Sequence, residues 1–546
     1  MVRGGPISLA EYMQDCLTSP QGGFYMSRDV FGSAGDFVTS PEISQMFGEM
    51  VGIWCVHTWM QLGQPPRLRL VELGPGRGTL MADLLRGTAG FKDFSRSLSV
   101  HLVEMSPALR AMQWRALRCS EAASSHSPSA KEAEELRHLR AGLPPLLGQA
   151  ARRGAGAGTE AGLEAGTGSG GGLGASAGAE PWSTPEEGVS GFNGCSVRWH
   201  TTLDSVPAGP GPSLYIAHEF FDALPVHQFV RHPTRGWTEK MVDLEDRDEG
   251  PQGGGSGSGS ESGPRDGSGG TTARLAVGPG DSPDLKSAAE QGGGGSGSSS
   301  GSDGDAGSTK PHPTAAATGS DGSGSSPRSA SESGSGSGAE GAGVPAHTTS
   351  GSGLRLVLSP GPTPAASMLV PRRLAGLAKE EAEAIQAVEI CAAGMATAER
   401  LSQRIAAHGG AALVMDYGRG GAPYADSLVA IRAHRGVGIL DGPGTADLSA
   451  WVDFDALRLA AEGPPGPGAA GPVRASGPVS QAAFLRALGI EHRLQALAAA
   501  ASSPEQARSL EEGVARLVGE GEGSMGRSYQ VMAIHESGLS GKLAGL

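Results

Sequence analysis

Cysteine is sparse and dispersed in this chain. Cys16, Cys55, Cys119, Cys195 and Cys391 form no C-x-x-C pair, which excludes a disulfide framework or a cysteine-based zinc site as the organising device; no metal site is expected. Aromatic residues make up only 5% of the 546 residues, too few for one large packed core of that length. No apolar run reaches the roughly 20 residues of a transmembrane helix. Cations are the minority charge, with 43 Lys+Arg against 57 Asp+Glu and a net charge of −14. Phosphate contacts need clustered cations, so a nucleic-acid partner is disfavoured; the balance is compatible with a cationic substrate such as an arginine side chain. The start, MVRGGPISLAEYM, shows neither a secretory core nor an Arg-rich amphipathic leader.

Glycine, by contrast, is abundant, at 89 residues. Much of it falls in two tracts that cannot bury enough apolar surface to fold. We place one insertion at 120–190, where Lys131–Leu139 reads as helical and Ala150–Gly178 as disordered. The other, at 246–353, is a Gly/Ser-rich coil between two strand-like stretches, an expanded hairpin loop. The chain then divides into an N-terminal helical segment (1–62), the first part of an α/β core (63–245) and the completion of that core (354–546).

The most informative stretch is LRLVELGPGRGTLMADLL, Leu68–Leu85. An apolar strand runs into a glycine cluster and then a helix from Thr79. The cluster spaces Glu72, Gly74, Gly76 and Gly78 at alternate positions, with Pro75 inside the turn. Such glycines let backbone approach a ligand closely and adopt positive φ, and the helix N-terminus adds amides and a dipole. A dinucleotide fingerprint is G-x-G-x-x-G; here the third glycine comes one residue early and an acid sits on the strand. The arrangement resembles motif I of the S-adenosylmethionine-dependent methyltransferases. A second strand, SVHLVE (Ser99–Glu104), also ends in an acid. Glu104 either accepts the hydroxyls of a ribose beside the first loop or caps the helix that begins near Pro107.

Strands alternating with helices predict a parallel, doubly wound sheet. We place further strands at Cys195–Leu203, Ser213–Ala217, Ala411–Asp416 and Tyr529–His535, with Val226–Arg231 and Gly236–Leu244 as a pair. That makes a Rossmann-like, seven-stranded sheet with one member unassigned. Helices are expected from Ser8 (a capping box with Glu11), from Ser40-Pro41-Glu42, over Lys379–His408 and near Gln481–Leu488. The loop GDFVTSPE, ahead of the second helix, is either a turn with a cap or a wall of a ligand site.

The fourth strand runs directly into HEFFDALP, where substrate groups belong in such a sheet. Glu219 and Asp222, three apart, would share one side of a helical turn and could pair with a guanidinium. Phe220 and Phe221 would wall a dry pocket, and His218 or His227 could accept a proton. The alternative is structural: Asp222 as a cap, Glu219 in an ion pair, the histidines as satisfied structural groups. Asp416 is a further candidate on the same terms, and Asp36 another.

Taken together, GPISLAEYM, GDFVTSPEISQMFGE, VELGPGRGTL, HLVE, AHEFFDALPVHQF, GGAALVMDYG, GPGTADLSAWVDF and MGRSYQVMA resemble the MidA-type mitochondrial protein arginine methyltransferases, which assist assembly of respiratory complex I. The resemblance implies a class I methyltransferase fold, S-adenosylmethionine as methyl donor, and symmetric ω-nitrogen dimethylation of arginine on a complex I subunit in the mitochondrial matrix. It maps cofactor binding onto Glu72, Gly74, Pro75, Gly76, Gly78 and Glu104, and catalysis onto His218, Glu219 and Asp222. The Gly/Ser insertions and the absence of a visible import leader depart from the pattern. A methyltransferase-like assembly chaperone without catalysis is the alternative. A base methyltransferase is disfavoured by the acidic balance and the missing N-P-P-[YF] tetrapeptide.

Overall fold

Leu68–Leu73 (β1) is buried along almost its whole length, as a near-continuous apolar strand must be when both faces of its sheet are covered. In the computed structural model it lies at the centre of the main sheet. Described are residues 4–27, 39–121, 186–245, 353–421, 423–463, 472–521 and 523–546, all within the unit formed by residues 1–250 and 350–546. The readings of Asp36, Lys131–Leu139 and Ala150–Gly178, and nearly all of both insertions, fall outside these residues.

The other principal strands are Leu98–Val103 (β2), Ser196–His200 (β3), Ser213–His218 (β4), Gly410–Arg419 (β5), Val473–Ser480 (β6) and Tyr529–Glu536 (β7). Their order is β3-β2-β1-β4-β5-β7-β6. β7 pairs antiparallel with both neighbours, while the pairs among β1 to β5 are parallel. Glu187–Val189 at the β3 edge and Val452–Asp453 beside the end of β5 bring the total to nine. The unassigned seventh member is β6. Its sequence VRASGPVS breaks the strand pattern at Gly477-Pro478, and the pairing register shifts between Ser476 and Val479; a proline donates no ladder hydrogen bond.

Two apolar cores cover the two faces. Phe47, Trp54, Leu84 and Phe484 belong to one; Phe229, Leu401, Leu457 and Phe454 belong to the other. A second sheet holds Ile7–Ser8, Gly236–Leu244, His227–His232 and Ala387–Ile390, with Leu354–Leu358 paired to Gly236–Leu244. The pair around the second insertion thus closes as an antiparallel ladder, Leu244 opposite Leu354, with the Glu245 amide donating to Gly353 at 2.8 Å. A small third sheet joins Val429–Arg432, Arg435–Val437 and Asp447–Ser449.

Three element assignments change. Lys379–His408 is not one helix: Lys379–Ala384 and Ala392–His408 are helical, but Ala387–Ile390 is a strand paired with His227–His232. Its Val and Ile suit a sheet, and pairing outweighs the weak helix propensity around it. The Ser40-Pro41-Glu42 turn stops at Ile43; Ser44, in extended backbone, caps the long helix Gln45–Gln61 through its Oγ, which accepts from Met46. The third strand ends at His200, and Leu203–Ser205 is a 3-10 turn. The Ser8–Glu11 capping box is present as expected. No described helix is long and apolar enough to cross a membrane.

Candidate functional site

The carboxyl ends of β1, β2, β4 and β5 open onto one cavity of about 490 Å³. Parallel strands put their following loops at one edge, which is why ligands collect there. Glu72, Gly74, Pro75, Gly76, Glu104, His218, Glu219 and Asp222 all line this cavity. Gly78 does not; it is the left-handed N-cap of Thr79–Thr88, at φ +85°.

The glycine turn is tight for a physical reason. Gly74 and Gly76 have φ of +62° and +52°, a region side chains rarely occupy. A Cβ on Gly74 would sit 2.9 Å from the Phe220 ring. Glu72 is buried, and its Oε2 has no hydrogen-bond partner among the described residues. Burial first, then the nearby Glu104 carboxyl, push its pKa up to about 8. Glu104 serves the local structure as well: Oε1 accepts from the Ser106 amide at 2.8 Å and Oε2 from Gln113 Nε2 at 3.3 Å. The cap of the helix Pro107–Ala116 is Ser106, whose Oγ accepts from the Leu109 amide at 3.4 Å; Glu104 steadies that cap's own amide and also faces the cavity. Gln113 had no signal in the sequence. It is fully buried, donates to the Gly76 carbonyl at 2.7 Å and accepts from Trp199 Nε1 at 2.8 Å, so it ties the glycine turn to Glu104 and β3.

The HEFFD block is not a helical turn. Glu219 lies at φ +47°, strained for a residue with a side chain. Asp416, at the end of β5, is what holds it. Asp416 Oδ2 accepts from the amides of Phe220, Phe221 and Asp222 at 3.2, 3.0 and 3.3 Å, and Oδ1 from Tyr417 at 2.9 Å. Asp416 therefore caps the turn and does not line the cavity. The two phenylalanines part: Phe220 lines the cavity, while Phe221 packs into the core.

Glu219 and Asp222 still converge on the cavity, with partners from distant segments. The Ser40 amide donates to Glu219 Oε1 at 3.3 Å, and the Tyr529 hydroxyl lies against the same carboxyl. Among the described residues Asp222 Oδ1 is buried without a hydrogen-bond partner. Burial, then Asp222, push Glu219 up to about 8; burial, then Asp416 and Asp447, hold Asp222 well above the usual carboxylate range. Asp416 also rises to about 8, by burial and Glu219, although its four amide donors pull the other way. His218 Nε2 is 3.3 Å from Glu219 Oε1 but lacks hydrogen-bond geometry, and burial lowers its pKa to about 3, so its ring is neutral. His227 belongs elsewhere: its Nδ1 is 2.7 Å from Glu239, and it does not line the cavity.

Of the GDFVTSPE loop, Thr39, Pro41 and Glu42 line the cavity, and Glu42 pairs with Arg77 at 3.0 Å. Further wall residues without a signal as site residues in the sequence include Tyr25, Tyr417, Asp447, Ser449 and Tyr529. Together these residues make a chamber with a glycine cradle at one side and buried acids at the other. Such a chamber can bind a cation that brings its own hydrogen-bond donors.

The chain matches, over residues 50–473, the family described as "Putative S-adenosyl-L-methionine-dependent methyltransferase". Among curated proteins it is 30% identical to the Mus musculus "Protein arginine methyltransferase NDUFAF7, mitochondrial", over 93% of this chain and 76% of the relative. The Drosophila melanogaster homologue of that name is also 30% identical, over 99% of this chain and 84% of the relative. A crystal structure from Burkholderia thailandensis, bound to S-adenosyl-homocysteine, shares the fold with a TM-score of 0.53 at 19% identity, covering 100% of this chain and 91% of that one.

Proposed function

The chain belongs to the S-adenosyl-L-methionine-dependent methyltransferases, and from that premise we propose that it methylates arginine on a protein, producing symmetric ω-dimethylarginine on a respiratory complex I subunit in the mitochondrial matrix. The observation that carries the substrate class is the placement of Glu219 and Asp222 in the same cavity as the glycine turn. The relatives named protein arginine methyltransferases, mitochondrial, point the same way.

The cavity's residues fit the family's cofactor. Gly74 and Gly76 turn at positive φ on the cavity wall, a Cβ on Gly74 would press on the Phe220 ring, and Glu72 Oε2 is a buried acceptor with no donor among the described residues. In our reading Glu72, Gly74, Pro75, Gly76 and Glu104 hold S-adenosylmethionine, with Gly78 shaping the turn behind them. When bound, it would supply an electrophilic methyl on a sulfonium, the electron pair of the broken carbon–sulfur bond staying on sulfur as the methyl leaves.

The protein's own work is orientation and charge. Glu219 and Asp222 accept N–H bonds from a guanidinium, which fixes one ω-nitrogen toward the cofactor and replaces water. When that nitrogen gains its methyl, one N–H bond breaks and leaves its electron pair on nitrogen. The proton goes to a carboxylate oxygen, for which the unpartnered Asp222 Oδ1 is placed. His218, kept neutral by burial, packs against Phe47 and shapes the floor. Incubation with labelled cofactor and isolated complex I subunits tests this reading. Label on arginine, lost in Glu219→Ala and Asp222→Ala while S-adenosylhomocysteine still binds, is expected. A client that binds but takes no label would make the protein an assembly chaperone.

A further inference from the structure

A second cavity, of about 460 Å³, lies against the amino ends of β1 and β2. One set of alternate residues on β1, β2 and β3, among them Leu70, Val100 and Val197, packs into the first apolar core. The intervening positions carry Arg69, Ser99, His101 and Arg198, where a sheet covered on both faces would carry apolar side chains. The pairing register sets Arg69 beside Ser99 and His101 beside Arg198, so all four share one face. The second core takes Val71 and Leu73 from β1 and only Val103 from β2, and so stops short of this corner.

Arg67, Arg69, Arg96, Arg198 and His101 line the cavity, and no acid among the described residues does. The chain as a whole carries a net charge of −14, so this corner has the opposite sign. Arg69 is half-buried. Its Nε donates to Ser213 Oγ at 2.9 Å and its Nη2 to the Gly211 carbonyl at 2.6 Å, both neutral acceptors. Its Nη1 borders Gly209 on the cavity wall, 3.0 Å from where a Cβ would stand. Taking a cation out of water without a counter-charge is costly. Arg67 is exposed. Arg198 and Arg96 pair with Glu187 at 2.8 Å and Asp93 at 2.7 Å, but both pairs are open to solvent, where such bonds contribute little. Strand spacing of about 4.8 Å and a rise of about 3.3 Å per residue put the Cα atoms of Arg69 and Arg198 roughly 12 Å apart. His101 lies between them and feels both: burial first, then His200, Arg198 and Arg69 lower its pKa to about 4.

We propose that this cavity binds a soluble, phosphate-bearing small molecule, held by Arg67, Arg69 and Arg198. A tetrahedral phosphate accepts from guanidiniums on several sides, whereas a carboxylate offers two oxygens in one plane. The volume is that of a small-ligand pocket, and the acidic chain repels an extended polyanion such as nucleic acid. The site sits at the opposite end of β1 from the glycine turn and is independent of the methyl-transfer reading.

Calorimetry of the full chain with inorganic pyrophosphate tests this. One pyrophosphate per chain should bind, about tenfold or more tighter than malonate. The double variant Arg67→Gln, Arg198→Gln should weaken it about tenfold or more while S-adenosylhomocysteine affinity stays within about twofold. Arg69→Gln should weaken it as well; because that change also removes the bonds to Ser213 and Gly211, the double variant decides if Arg69→Gln fails to fold. No binding at millimolar pyrophosphate, malonate bound equally well, or an affinity within about twofold of the parent in the double variant overturns the proposal. Retention on vesicles of phosphatidylcholine and phosphatidate that is lost in the double variant, with no binding of pyrophosphate, overturns the soluble ligand and assigns the phosphate to a lipid headgroup.

Discussion

At the scale of single residues, backbone strain and buried charge mark the site. Gly76→Val would force a branched side chain into positive φ on the cavity wall; calorimetry should then find no S-adenosylhomocysteine binding, and normal affinity would contradict the cradle. Asp416→Ala removes the acceptor of four amides. Leaving buried donors unmade costs roughly 1–3 kcal/mol or more, so melting should drop, and methyl transfer should fall with it because Glu219 loses its strained geometry. The buried acids also set a pH dependence. Glu72, Glu219 and Asp416 rise from ordinary carboxylate values to about 8. An acid whose folded value exceeds its unfolded one binds more protons when folded. Stability of the ligand-free protein should therefore fall as pH rises from the ordinary carboxylate range to about 8, and level off above it. Each fully shifted group contributes a slope of up to about 1.4 kcal/mol per pH unit. Thermal melts across that window check this, and Glu219→Gln should flatten part of the slope. The transfer rate should move oppositely, rising toward about pH 8 as the carboxylates ionise.

At the scale of elements, what was legible in the sequence is what is local. Strand, glycine turn and helix follow one another within Leu68–Leu85, and a capping box needs only Ser8 and Glu11, so both could be read directly. β6 is not legible in the sequence because its strand character comes from pairing with β7 while Gly477-Pro478 hides the pattern. Ala387–Ile390 reads as helix from sequence because the partner that makes it a strand, His227–His232, lies far away in the chain. The site divides in the same way. The acids of the HEFFD block sit at a strand end and announce themselves, whereas Gln113, Tyr25, Asp447 and Tyr529 acquire meaning only when distant elements meet. The second insertion gives an element-scale prediction. Its flanks pair antiparallel, Leu244 opposite Leu354, so a four-residue turn in place of residues 246–352 should close the same ladder. Loop-closure entropy then favours the shortened chain by up to about 3 kcal/mol, at roughly 0.6 kcal/mol per halving of length. A lower melting temperature, or lost activity, would show that the insertion makes contacts the fold needs.

At the scale of the whole molecule, the site joins a sheet that supplies the cradle to a cap that supplies much of the opposite wall. The cap unites the N-terminal helices with the third sheet through a third apolar core that includes Leu9, Tyr12, Phe24 and Leu448. At Gly444 the two halves of the cap meet closely: at φ +80°, a Cβ there would lie 2.6 Å from the Gly22 carbonyl oxygen. Gly444→Val adds both that clash and a strain of order 1–3 kcal/mol, within the cap and outside the glycine turn. It should loosen the cap without unfolding the sheet. Amide exchange should quicken over residues 429–449 and 9–25 and stay slow in β1, β4 and β5. S-adenosylhomocysteine should bind nearly as before, since the cradle and Glu72 belong to the sheet. KM for the protein substrate should rise, because the part of the cavity wall that Tyr25 and Asp447 supply would no longer be held in place. Equal loosening of sheet and cap, or a loss of cofactor affinity larger than the loss of substrate affinity, would mean that the two ligands do not divide between sheet and cap in this way.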